Sequence, residues 1–145
     1  LMAITPENTF KKILDKLESI VETEFKGALP TCVGYEKMHG TQYLRILPLS
    51  SSLVDYTTGS EEREYNVRFI FYFDEKMVKT KTLDHVLRYT SRIESLIHDN
   101  IIMTLSDSST ALNCRVQNTN LNTSNDLGVY TVEMEWQCNH VGNFG

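Results

Sequence analysis

Residues 128–142, GVYTVEMEWQCNHVG, decide the fold. Tyr130, Val132, Met134, Trp136 and Cys138 alternate with Thr131, Glu133, Glu135, Gln137 and Asn139, and a period of two belongs to a strand, whose successive side chains point to opposite faces. One face is apolar and must be covered; the other is polar and stays wet, the pattern of an antiparallel sheet packed on one side. Immediately upstream, ALNCRVQNTNLNT reads as a polar strand and SNDLG as its turn. A hairpin centred near Asp126 sets Cys114 opposite Cys138 and Val116 opposite Trp136. Asn113, Arg115 and Gln117 then share a face with Glu133, Glu135, Gln137 and Asn139, and Arg115 is the nearest counter-charge.

Further upstream, EYNVRFIFYFDE places Tyr65, Val67, Phe69, Phe71 and Phe73 on one side, while Ile70 and Tyr72 leave the opposite side only half polar. Such a strand belongs in the middle of a sheet, partly covered on both faces. TQYLRILPL is its hairpin partner, with Pro48 marking an edge or a bulge because proline donates no ladder hydrogen bond. The connection, roughly residues 50–63, is longer than ordinary hairpin loops. Its DYTTGSEER stretch suits partner contact, with Tyr56 as an anchor and Glu61, Glu62 and Arg63 setting orientation by charge.

Two helices complete the pattern. Thr5 is a candidate cap with Pro6 and Glu7 behind it, then Phe10, Ile13, Leu14, Leu17, Ile20, Val21 and Phe25 recur every three or four residues until Gly27, which supplies a left-handed stop. Lys11, Lys12, Asp15, Lys16, Glu18, Glu22 and Glu24 form the solvated side. The second helix follows Thr82, with Asp84 in its first turn and Leu83, Val86, Leu87, Ile93, Leu96 and Ile97 as its apolar stripe. The expectation is an α+β domain in the order α-β-β-α-β-β, an antiparallel or mixed sheet with two packed amphipathic helices, spanning residues 1–145 as one unit.

Composition narrows the function classes. The 145 residues carry a formal net charge of −5 and a pI near 5.3, so no basic field is present to neutralise phosphates; sequence-independent nucleic-acid binding is not expected, nor is specific binding, and DNA could pass nearby without being gripped. No apolar run reaches the length of a membrane span, and no basic-then-apolar leader opens the chain, which points to the cytosol. Cys32, Cys114 and Cys138 form no CxxC pair and read as free thiols in a reducing compartment.

Motifs for nucleotide phosphates, zinc hydrolysis, serine nucleophiles or calcium are missing. Cys114, Cys138 and His140 supply three soft ligands, one short of a closed zinc tetrahedron. His85 and His98 lie outside the second helix's apolar stripe and His39 falls in a turn, which gives no thiol a histidine base. Glu133 and Glu135 share a strand face without an apolar pocket to raise either pKa. No enzyme, metal or cofactor is expected.

The element order, with a hairpin beginning in GTQYLRILPLSSSL and returning in REYNVRFIFYFDE and a closing polar hairpin, resembles the tail terminator (tail completion) proteins of long-tailed bacteriophages, from about residue 5 to 141. The resemblance implies a structural virion protein of the head–tail neck, assembled in the host cytoplasm. Its copies form a hexameric ring that caps the tail tube protein on one side and meets the head-side connector protein on the other. It carries over no catalytic residue or cofactor. In such a ring Glu133 and Glu135 face the lumen, where like charge lets passing DNA slide. A sibling connector or tail tube subunit, a small-molecule-binding α+β domain and an enzyme with a dispersed site are the competing classes; ring assembly, thermal shift with ligand, and perturbed groups in a pocket discriminate them.

Overall fold

A computed structural model describes residues 9–26, 29–34, 42–56, 60–74, 82–106, 108–122 and 129–143. Its elements run α1 (Thr9–Phe25), β1 (Thr31–Val33), β2 (Gln42–Tyr56), β3 (Ser60–Asp74), α2 (Thr82–His98), β4 (Met103–Thr104), β5 (Thr110–Asn122) and β6 (Val129–Asn143). One six-stranded sheet has the order β1-β2-β3-β6-β5-β4. β1 is parallel to β2, and every other neighbour is antiparallel. The expected order therefore needs correcting by two short additions, β1 and β4, at the outer edges. Three and two residues are too few to show a period, and only the ladder reveals them.

Both helices pack on one face of the sheet. Ile13, Leu14, Leu17, Val21 and Phe25 of α1 and Val86, Ile93 and Ile97 of α2 meet Leu44, Ile46, Val67, Phe69, Phe71, Val132, Met134, Trp136 and Cys138 in one core. The alternation in β3 and β6 thus reports burial as read. In α2 it errs at two places. Leu87 is 41% exposed, so the stripe is narrower than the apolar residues suggest. His85, expected outside the stripe, stacks between Phe73 (ring centroids 4.7 Å apart) and Tyr89 (4.4 Å), with Nε2 3.0 Å from Gln42 Oε1. An aromatic ring with a polar tip can occupy the margin of an apolar stripe while keeping a partner.

Helix α1 ends as a left-handed stop requires, but the described residue that takes it is Lys26, with φ 51° and its N–H donating to Glu22 O at 2.9 Å. Thr5, Pro6, Glu7 and Gly27 lie outside the described residues, as does His39. A clamp joins the helices: Arg92 donates to Glu24 Oε1 at 3.3 Å and to its carbonyl at 3.2 Å, with its guanidinium 4.3 Å from the Phe25 ring centroid.

The long connection expected over 50–63 is instead mostly ladder. β2 and β3 stay paired from Gln42↔Phe73 to Tyr56↔Glu61, absorbing two bulges between Pro48 and Ser50 and between Leu53 and Asp55. Serine and charged residues carry little strand signal of their own; β3 is held along its whole length by β6, from Ser60↔Asn143 to Asp74↔Val129, and tertiary pairing overrides propensity. The β5–β6 register confirms Val116 opposite Trp136, but bulges between Leu112 and Arg115 and between Val116 and Asn118 shift the rows on either side. Asn113, at φ 57°, sits in the first of these bulges, a left-handed conformation that asparagine tolerates better than most residues.

Candidate interaction surface

The sheet face turned away from the helices is broad and largely polar. Strand register lays it out in rows across β2, β3, β6 and β5. Nearest the β2–β3 tip come Asp55, Glu62 and Val141, followed by Ser52, Glu64 and Asn139. Ser50, Asn66, Gln137 and Arg115 form the next row, then Leu47, Arg68, Glu135 and Asn118, then Arg45, Ile70, Glu133 and Asn120. Tyr43, Tyr72 and Thr131 close the series, the two tyrosine rings stacked 4.7 Å apart. Carboxylates crowd the tip end, arginines cross the middle and aromatics hold the far end.

Gln137 is the hub of this face. Its Oε1 accepts from Arg115 Nη2 at 2.5 Å, its Nε2 donates to Glu64 Oε1, and the Gln117 amide adjoins it. Asn139 Nδ2 donates to Glu62 Oε1 at 3.5 Å and Asn66 Nδ2 to Ser50 Oγ at 2.9 Å. Side chains tied across four strands hold a fixed surface, in contrast to a mobile solvated fringe.

Glu133 and Glu135 share this face, half-buried as β6 alternation requires. Arg115 was the expected counter-charge, yet Arg68 stands directly opposite Glu135 and its Nε is buried without a hydrogen-bond partner among the described residues. Arg45, in the next row on β2, donates to Gly34 O. Carboxylates and guanidinium groups therefore interleave, and the strand that looks acidic alone belongs to a face of mixed charge. The same period-two reading of REYNVRFIFYFDE that buries Phe69 and Phe71 also directs Glu64, Asn66 and Arg68 to this side, and that signal was available in the sequence.

The tip residues divide between the faces. Arg63 Nε donates to Glu61 Oε1 at 3.0 Å and Arg63 Nη1 to Ser51 Oγ at 3.3 Å, both on the helix side of the sheet, whereas Glu62 points to the polar face. Strand alternation, in place of the expected loop, causes this separation. The side chain of Tyr56 lies outside the described residues; its backbone pairs with Glu61. Exposed aliphatics accompany the charges here, with Leu53 52% and Val54 51% accessible.

Among the described residues no three His, Cys, Asp or Glu side chains gather as metal ligands, and no helix is long and apolar enough to cross a membrane. Cys114 and Cys138 are buried in the core, and His140 is buried with Nε2 2.9 Å from Ser109 Oγ. A cavity of about 10 Å³ lies between Leu17, Val21, Phe69, Ile97 and Trp136. It is apolar and too small for a metabolite.

No protein-family model and no curated protein matches the sequence. Solved structures do match in shape. One is a chain from the virion of a native gene transfer agent particle, with a TM-score of 0.68 and 7% identity over 94% of this chain and 100% of that one. A second solved chain has a TM-score of 0.64 and 15% identity, covering 96% of this chain and 99% of its own length. At these identities the likeness is one of fold, and it extends from end to end of both partners.

Proposed function

We propose that this chain is a structural, non-catalytic virion protein, a tail terminator whose copies close into a ring, cap the tail tube and join it to the head-side connector. The observation that carries the reading is the end-to-end fold likeness to a chain of a gene transfer agent virion, whose whole length this chain covers. The polar sheet face supports it, because a broad face fixed by cross-strand hydrogen bonds suits contact with large surfaces or a water-filled lumen. In this reading Glu133 and Glu135 face the lumen. Tyr56, Glu61, Glu62 and Arg63 contact a partner at the β2–β3 tip, Glu61 and Arg63 from one side of the ladder and Glu62 from the other.

Native mass spectrometry of the purified chain, alone and with tail tubes, tests the proposal together with electron microscopy of tube ends. A closed ring, of six copies by the terminator reading, seated only on tube ends is the expected result. Monomers that leave tube ends bare would overturn it. Copies that extend along the tube instead of stopping it would assign the chain to the tube subunits.

A further inference from the structure

The thiols of Cys114 and Cys138 are the buried reactive groups that no part of the proposed function uses. They lie on neighbouring strands, both turned into the core, at 1% and 0% exposure. Cys138 sits on β6 opposite Tyr65 on one side, while on the other it meets the β5 bulge between Leu112 and Arg115 that contains Cys114. The extra residue in that bulge turns the Cys114 side chain inward, where Sγ is 3.6 Å from Ala111 O. All three cysteines of the chain are thiols in this structure, and Cys32 is distant from the pair in the sheet order, on β1 at the opposite edge.

We infer that Cys114 and Cys138 form a reversible cross-strand disulfide, a conditional staple that fastens the outer strand β5 to β6. Inward side chains facing each other on adjacent antiparallel strands stand about 4.5–5.5 Å apart at Cβ, at the margin of the about 3.5–4.5 Å that a disulfide takes, so a small shift of β5 at its bulge suffices to join the two sulfurs. The two thiols also influence each other: hydrogen bonding with Cys138 lowers the pKa of Cys114, while that interaction and burial raise the pKa of Cys138. Cys114 is thus the thiol that ionises first and attacks; Arg115 beside it favours the thiolate.

With an azo oxidant such as diamide, the Cys114 thiolate adds to one nitrogen and the other nitrogen takes a proton. Cys138 sulfur, losing its proton, then displaces the adduct from Cys114. One S–S bond forms, the N=N double bond is reduced to a hydrazine, and two electrons and two protons pass from the thiols. Access comes through β5, which is held on its outer side by the two-residue strand β4 and can open locally at lower cost than the sheet centre. The staple would be absent in a reducing cytoplasm and present after exposure to an oxidising medium.

The test uses the full chain, reduced and then treated with diamide. The expected product is lighter by two hydrogens, yields a non-reduced peptide joining the segments that hold Cys114 and Cys138, and melts roughly 6–12 °C higher than the reduced chain. Cys114→Ser and Cys138→Ser should each abolish the mass change, while Cys32→Ser keeps it and controls for folding. A treated chain that retains all three thiols on titration in denaturant, or whose linked peptides contain Cys32, would overturn the inference. So would a linked product that melts at or below the reduced chain.

Discussion

Trp136 and Phe71 anchor the core from two neighbouring strands, at 1% and 0% exposure, with Val67 opposite the first and Val132 opposite the second. Truncation to alanine removes a large apolar surface and leaves a void that packed strands cannot fill, so Trp136→Ala and Phe71→Ala should each cost about 3–5 kcal/mol. Urea denaturation measures this directly, and losses below about 1 kcal/mol in both would contradict the register. His85 adds a pH-dependent contribution. Burial, then the nearby Arg88, lowers its pKa from the ordinary 6.5. A folded-state value below the unfolded one means folding favours the neutral ring; that contribution is complete above about pH 6.5 and is lost as pH falls through the folded pKa. Thermal melts from pH 7 to 5.5 should therefore show a decline that is shallower in His85→Phe, which keeps a ring against Phe73 and Tyr89 and has no proton to gain. Equal slopes in the two proteins would remove His85 as the cause.

At the scale of elements, the long strands and helices were written in periodicity, because Val132 to Cys138 and Val67 to Phe73 alternate and the α1 stripe repeats every three or four residues. What periodicity cannot carry is the point where a strand stops. Ser50, Ser51 and Ser52 look like loop, yet they lie in the ladder because β3 opposite them is itself fixed by β6. The β5 bulges were hidden for a related reason: one extra residue changes which side chains face the core without altering local composition. Of the candidate site, the two β6 carboxylates were placed on the correct face, but the hub Gln137 and the cation Arg68 depend on cross-strand neighbours that no single segment specifies. The α1–α2 clamp is another such long-range feature. Arg92 combines an ion pair with Glu24, both side chains nearly half exposed, and a guanidinium stacked on Phe25. Exposed pairs contribute little and the ring contact somewhat more, so Arg92→Ala should destabilise by about 1 kcal/mol and Arg92→Leu, which restores apolar cover on Phe25, by less. Chemical denaturation of the two variants separates charge from cover; equal losses would assign the effect to charge.

For the whole molecule, the proposed ring gives the polar face a consequence that a free surface lacks. Glu133 and Glu135 lie in adjacent rows, opposite Ile70 and Arg68, with Arg45 and Arg115 on the same face. The carboxylates offset these guanidinium groups, so a lumen lined by this face would repel DNA weakly and give it no cationic track to hold. Replacing both glutamates by lysine moves the formal net charge from −5 to −1, two units for each substitution, and leaves Arg45, Arg68 and Arg115 beside two new cations, with the remaining carboxylates of this face, Asp55, Glu62 and Glu64, gathered at its tip end. The altered side chains are half-exposed and outside the core, so the variant should fold with a melting temperature within a few degrees of the parent. Its assembled rings should instead retain DNA in gel-shift measurements at low salt and release it as salt rises, with a steeper salt dependence than the parent shows. Particles built with it should deliver their DNA more slowly. A variant that still forms rings but binds DNA no better than the parent at low salt would place these residues outside the lumen, and the polar face would then belong to a contact between proteins.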